Sequence, residues 1–253
     1  MFSLRRLLCE QRWHRPGIDP LTMTLLVLFV FHVVVTLAGG YVKNETFYHV
    51  VGLSRPEIFS GKVWQIVSYA LLHGDWSHFL LNGLMIYLIG GRIVHILGGK
   101  SFLKIFLGGV LVGGLFHLLM QPALPVGEAT VVANAPLVGA SAGAMALLIA
   151  LTTLSPQSRM WPLPVSARNL KWGILISTVL FYLITPGLSL PVFSEIGHLV
   201  VEGQMEAVFQ VSHICHLGGA VWGGFVAWRI LRTPITLADL ERDRARREGN
   251  MAA

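Results

Sequence analysis

The segment from residue 21 to residue 41 reads LTMTLLVLFVFHVVVTLAGGY and carries no lysine, arginine, aspartate or glutamate. A helix of about 17–25 apolar residues is what crosses a hydrocarbon slab of about 30 Å. In lipid, such a run must satisfy its own backbone hydrogen bonds, so it is expected to be helical. Five further apolar runs of comparable length follow, at 76–97, 102–120, 138–155, 170–187 and 208–231. The fold class expected is therefore an all-α polytopic membrane protein with six transmembrane helices. Composition agrees: charged residues make up 13% of the chain and mean hydropathy is +0.65, whereas soluble domains carry about 25% charged residues. The first run is too long for the apolar stretch of a cleavable signal, and no small-residue cleavage pattern follows it.

Basic residues test this arrangement independently, because those in short loops stay on the cytoplasmic side. Arg5, Arg6, Arg12 and Arg15 precede the first span. Arg92, Lys100 and Lys104 lie around the second-to-third turn, and Arg159, Arg168 and Lys171 around the fourth-to-fifth. Arg229, Arg232, Arg242, Arg244, Arg246 and Arg247 close the chain. Six spans place these 16 of the 19 basic residues on one side, leaving Lys43, Arg55 and Lys62 in the first long loop opposite. Both termini are thus expected in the cytoplasm. The chain divides into a cytoplasmic arm (1–20), one membrane domain (21–231) and a charged tail (232–253). A bacterial cytoplasmic membrane is the expected location, since little of the chain lies beyond the six spans.

The net charge of +6 follows topology and forms no basic, aromatic-interleaved face, so no nucleic-acid partner is expected. No metal-ligand pair, phosphate-binding glycine loop or dinucleotide fingerprint appears in a suitable setting, so neither metal nor cofactor is expected. Cys9 in the arm and Cys215 in the sixth run are not expected to pair. Oligomeric state is not legible in the sequence.

Polar side chains at membrane depth each need a reason. Ser141, in VGASAGAMALL, falls in the first turn of the fourth span. His216, in SHICHLGGAVWGG, is expected about two turns below the outer end of the sixth, on the order of 12 Å. His78 and Asn82, four apart on one face of the second span, occupy its first two turns. Four polar groups from three spans thus gather at one outer level. Gly219 and Gly223 on the face of His216, and Gly139 and Gly143 around Ser141, are the small residues by which membrane helices approach closely. If those faces meet, the imidazole reaches the hydroxyl and can accept its proton, then protonate a leaving amine. The N–H of Ser141 and the side chains of His78 and Asn82 would face the developing oxyanion.

These residues resemble a known family. VWQIVSYALLHGDWSHFLLN, GASAG and HLGGAVWGG, in this order on these spans, are similar to the motifs of rhomboid intramembrane serine proteases. The resemblance implies a six-helix rhomboid-like bundle with Ser141 as nucleophile, His216 as general base and His78 with Asn82 as oxyanion-stabilising pair. It implies that transmembrane protein substrates are cleaved, that Lys62 to Leu72 forms a partly embedded first loop, and that residues 188–207 and the fifth span act as cap and lateral gate. His73 also belongs to the pattern. The chain departs from it at Gln65, where an arginine often follows the tryptophan, at Val94, where a glutamate commonly stands, and at Ala142, where a glycine is frequent.

Other readings compete. His213, three residues before His216, is a rival base. His73 reads as a structural hydrogen-bonding residue, and His32, His95 and His117 as packing or interfacial ones. A catalytically silent rhomboid-like helix binder would have lost the serine or histidine. A transporter or channel would spread polar groups through the full depth of several spans.

Overall fold

A computed structural model describes residues 19–121, 136–160, 164–203, 208–209, 211–232, 241 and 245. Residues 1–18 of the N-terminal arm, Cys9 among them, and nearly all of the tail lie outside the described residues.

Asp19 starts the first helix by accepting the N–H groups of Leu21 and Thr22 at 2.9 and 3.2 Å, with Pro20 at the position where a missing N–H costs nothing. Helix α1 (Pro20–Leu37) leads into a loop of short helices: α2 (Gly40–Lys43), α3 (Glu45–Val51), α4 (Arg55–Phe59) and α5 (Gln65–Ser68). Asp75 then accepts the His78 N–H at 2.8 Å and opens α6 (Trp76–Leu97). Gly98, at φ +80°, turns the chain directly into α7 (Gly99–Met120), a conformation glycine adopts without strain. Next come α8 (Ser141–Leu154), α9 (Ala167–Leu183), α10 (Phe193–Glu202) and α11 (His213–Arg232). The described residues contain isolated bridges but no strand.

Among the described residues four helices, α1, α6, α7 and α11, are long and apolar enough to cross a membrane. Helices also occupy the other two expected positions, but both are shorter: α8 has 14 residues and α9 has 17. At 1.5 Å per residue α8 spans about 21 Å, less than a hydrocarbon core. Ten of its 14 residues are buried, so neighbours enclose it nearly all round. Its start is recessed accordingly. A Cβ at Gly113 would touch Ala142, and Gly113 lies seven residues before the end of α7, about 10 Å along the axis.

Small residues hold α7, α8 and α11 together. Gly219 and Gly223 of α11 lie so close to the Ala142 and Ala146 carbonyls of α8 that added Cβ atoms would overlap them. The α11 face thus meets α8 as the spacing anticipates, but alanines receive it rather than Gly139 and Gly143. A Cβ at Gly143 would lie 2.5 Å from the Phe106 ring of α7. Gly139 precedes the helix altogether, at φ +118°. The difference follows from where α8 begins: with its first turn at Ser141, Gly139 and Gly143 cannot share one helical face.

The first loop is tied inward by Gln65, which is fully buried. Its amide donates to the carbonyls of His49 at 2.6 Å and Val50 at 3.3 Å, and its oxygen accepts the Ser54 N–H at 3.1 Å. A neutral three-point staple therefore stands where the family pattern often places an arginine. Leu53 pairs with Leu137 through two 2.9 Å backbone bonds, and the Gly139 N–H donates to the Tyr69 carbonyl at 3.0 Å. The loop thereby holds the segment that delivers Ser141.

Candidate active site

Ser141 is the first residue of α8, where the backbone N–H has no intrahelical acceptor. His216 stands in the first turn of α11, one turn nearer the helix start than the sequence suggested, because α11 begins at His213 rather than 208. Ser212 stops the helix there: its hydroxyl accepts the Cys215 N–H at 3.3 Å and its carbonyl accepts the His216 N–H at 3.2 Å. With Gly219 seated against Ala142, the imidazole projects toward the start of α8. His216 Nε2 lies 2.7 Å from Ser141 Oγ. Among the described residues no carboxylate is hydrogen-bonded to His216.

The positive φ of Gly139 opens the space beside it. A Cβ there would fall 2.7 Å from His78 Nε2 and 3.6 Å from Asn82 Nδ2, so both α6 side chains press on the backbone two residues before Ser141. Asn82 is buried, and its amide nitrogen has no hydrogen-bond partner among the described residues. A buried donor without an acceptor costs about 1–3 kcal/mol. His78, Asn82, Ser141 and His216 are thus brought to one place by α6, α8 and α11, and the four glycines expected to pack the site each adjoin it or the helix contact behind it.

The remaining histidines separate. His213 Nε2 is 2.8 Å from the Val208 carbonyl and its ring stacks on Phe181 at 5.2 Å, whereas the ring that reaches Ser141 is that of His216. His73 is buried, but neither ring nitrogen has a partner among the described residues; the hydrogen-bonding role expected of it falls to its backbone carbonyl, which accepts from the Tyr48 hydroxyl at 3.0 Å. Burial, with His78 and His32 beside it, pushes the His73 ring down to about 3, so it is neutral at ordinary pH. His95 is exposed.

Of the histidines read as packing or interfacial, His32 packs as expected and His117 also joins two helices through a polar contact. His32 of α1 is buried, lies flat on Phe79 at 4.6 Å and meets His73 edge-on at 6.0 Å, extending the aromatic wall behind His78. His117, near the end of α7, places Nδ1 2.9 Å from the Ser212 hydroxyl that starts α11. No local sequence signal marks either contact, because each joins positions far apart in the chain.

The Rhomboid domain family model matches residues 60–233, well over half of the 253-residue chain. The chain belongs to the rhomboid family, and its apolar helices make it an integral membrane protein. Among curated relatives, it is 26% identical over 187 residues to the RHOMBOID-like protein 12, mitochondrial, of Arabidopsis thaliana, covering 71% of this chain and 50% of that one. It is 26% identical over 65 residues to YdcA of Bacillus subtilis (strain 168), provisionally designated a rhomboid protease, covering 26% of this chain and 33% of the relative. The chain thus spans half the length of the first relative and a third of the second.

Proposed function

We propose that the protein is an intramembrane serine endopeptidase that cleaves transmembrane segments of membrane proteins near the outer face. The observation that carries this reading is the 2.7 Å approach of His216 Nε2 to Ser141 Oγ at the recessed start of a helix. In the proposed reaction the imidazole takes the hydroxyl proton as Oγ attacks a substrate carbonyl. The Ser141 N–H, Asn82 and His78 then hold the oxyanion. His216 returns the proton to the leaving amine, which departs as the acyl-enzyme forms. Water entering from the outer face gives His216 a proton and attacks the acyl carbon, and His216 passes that proton to Ser141 Oγ as the bond to the acyl group breaks. The substrate must present backbone already out of helical hydrogen bonding, so segments with helix-breaking residues fit best. The proposal has both termini in the cytoplasm, which the distribution of basic residues supports, and a bacterial cytoplasmic membrane, for which the short match to a bacterial relative speaks and the longer match to a plant mitochondrial one does not.

The test is cleavage of a membrane-anchored reporter by wild type, Ser141→Ala and His216→Ala. Both substitutions are expected to abolish cleavage while insertion and thermal unfolding stay close to wild type. Undiminished cleavage by Ser141→Ala would overturn the proposal. Capture of the reporter by wild type without any cleavage would make the protein a silent binder of transmembrane helices.

A further inference from the structure

Toward the opposite end of the bundle from Ser141, α7 and α11 part to leave an open groove of about 800 Å³. Lys104, which lines it, is nine residues before Gly113, about 13 Å along α7. The floor is formed where Trp222 of α11 lies over Gly108 of α7. A Cβ on that glycine would overlap the indole, and the indole N–H donates to the Lys104 carbonyl at 3.1 Å. Leu107 and Phe225 line the groove and stay about half exposed.

The lining changes character at one end. Because α7 and α11 run antiparallel, Ser101 and Lys104 in the first turns of one helix meet Arg229 in the last turn of the other. Among the described residues no carboxylate lines the groove, and Asp19, which precedes α1, is committed to capping that helix. A trough of apolar side chains ending in the Ser101 hydroxyl and the Lys104 ammonium matches an acyl chain ending in an anionic headgroup. Basic pockets between membrane helices select anionic headgroups. A lysine stem can lie along the apolar wall while its ammonium reaches the phosphate.

We propose that the α7–α11 groove holds one phospholipid with a net negative headgroup, its acyl chain beside Leu107 and Phe225 and its phosphate at Ser101 and Lys104. A zwitterionic lipid fills the same trough but offers no net charge to that end. The site is independent of the proposed protease chemistry and is read by binding alone.

The experiment is native mass spectrometry of the detergent-purified protein with dioleoyl phosphatidylglycerol or dioleoyl phosphatidylcholine. Wild type is expected to retain one phosphatidylglycerol in preference to phosphatidylcholine. Lys104→Gln should reduce that preference about fivefold, the effect of one cation near an anionic lipid surface, and Lys104→Arg should restore it. Val226→Trp, which fills the groove, should remove the adduct while thermal unfolding shows the variant folded. Equal retention of the two lipids by wild type overturns the proposal, as does a phosphatidylglycerol adduct unaffected by both Lys104→Gln and Val226→Trp. A dimer in place of the lipid adduct would assign the groove to a second copy of the chain and overturn it equally.

Discussion

Asn82 separates a catalytic role from a packing role at the level of one residue. Its amide nitrogen is buried and has no hydrogen-bond partner among the described residues. Asn82→Ala removes that amide along with some packing, and its thermal midpoint is expected to stay near wild type. If the amide meets its acceptor only in the transition state, kcat should fall by about 10²–10³ with KM little changed. Steady-state kinetics beside thermal unfolding measures both. A rise in KM alone, or a large loss of stability with normal kcat, would make Asn82 a packing residue. Gly139 shows the complementary constraint, since any side chain there meets His78 in a backbone conformation that L-residues rarely adopt.

Among elements, the first loop and the short helix α8 depend on one another. The loop holds the Ser141 segment through the Leu53–Leu137 pair and the Gly139-to-Tyr69 bond, while Gln65 holds the loop to itself. Gln65→Leu keeps the volume but leaves the Ser54 N–H and the His49 carbonyl without that side chain. Each group left buried and unpaired is expected to cost roughly 1–3 kcal/mol, read as a lower thermal midpoint in detergent. Cleavage should fall with it, because the segment before Ser141 loses its anchor. A variant as stable and as active as wild type would show that the loop is held by other contacts. The same reasoning explains why an arginine is dispensable here: a neutral amide reaches three backbone groups without burying a charge.

For the whole molecule, the unequal distribution of 16 against three basic residues makes orientation testable. A reporter that matures only outside the cytoplasm should be inactive when fused after Arg232 and active when inserted after Gly61, between α4 and α5 in the loop that carries Lys43, Arg55 and Lys62. The reverse pattern would invert the proposed topology and move the entry of water and substrate to the other face. Orientation matters because the site is one-sided. Ser141 and His216 stand at the starts of their helices and His78 and Asn82 in the first turns of α6, so all four lie toward the same end of the bundle.

Much of this was legible in one dimension. Apolar runs of membrane length placed a helix at every expected position, and α6 runs from Trp76 to Leu97 as read, because hydropathy and a capping aspartate are local properties. The GASAG and HLGGAVWGG motifs marked the residues that meet, since a close helix approach needs small side chains wherever it occurs. Lengths and partners were another matter. That α8 is only 14 residues, that α11 starts at Ser212's cap, and that alanine carbonyls rather than glycines receive Gly219 and Gly223 depend on what packs around each helix. The sequence by itself determined that the chain is a bundle of apolar helices carrying a serine and a histidine near one end. Only the tertiary structure decided that these two groups come within 2.7 Å, because that distance is set by three helices pressing together and no stretch of chain encodes it alone.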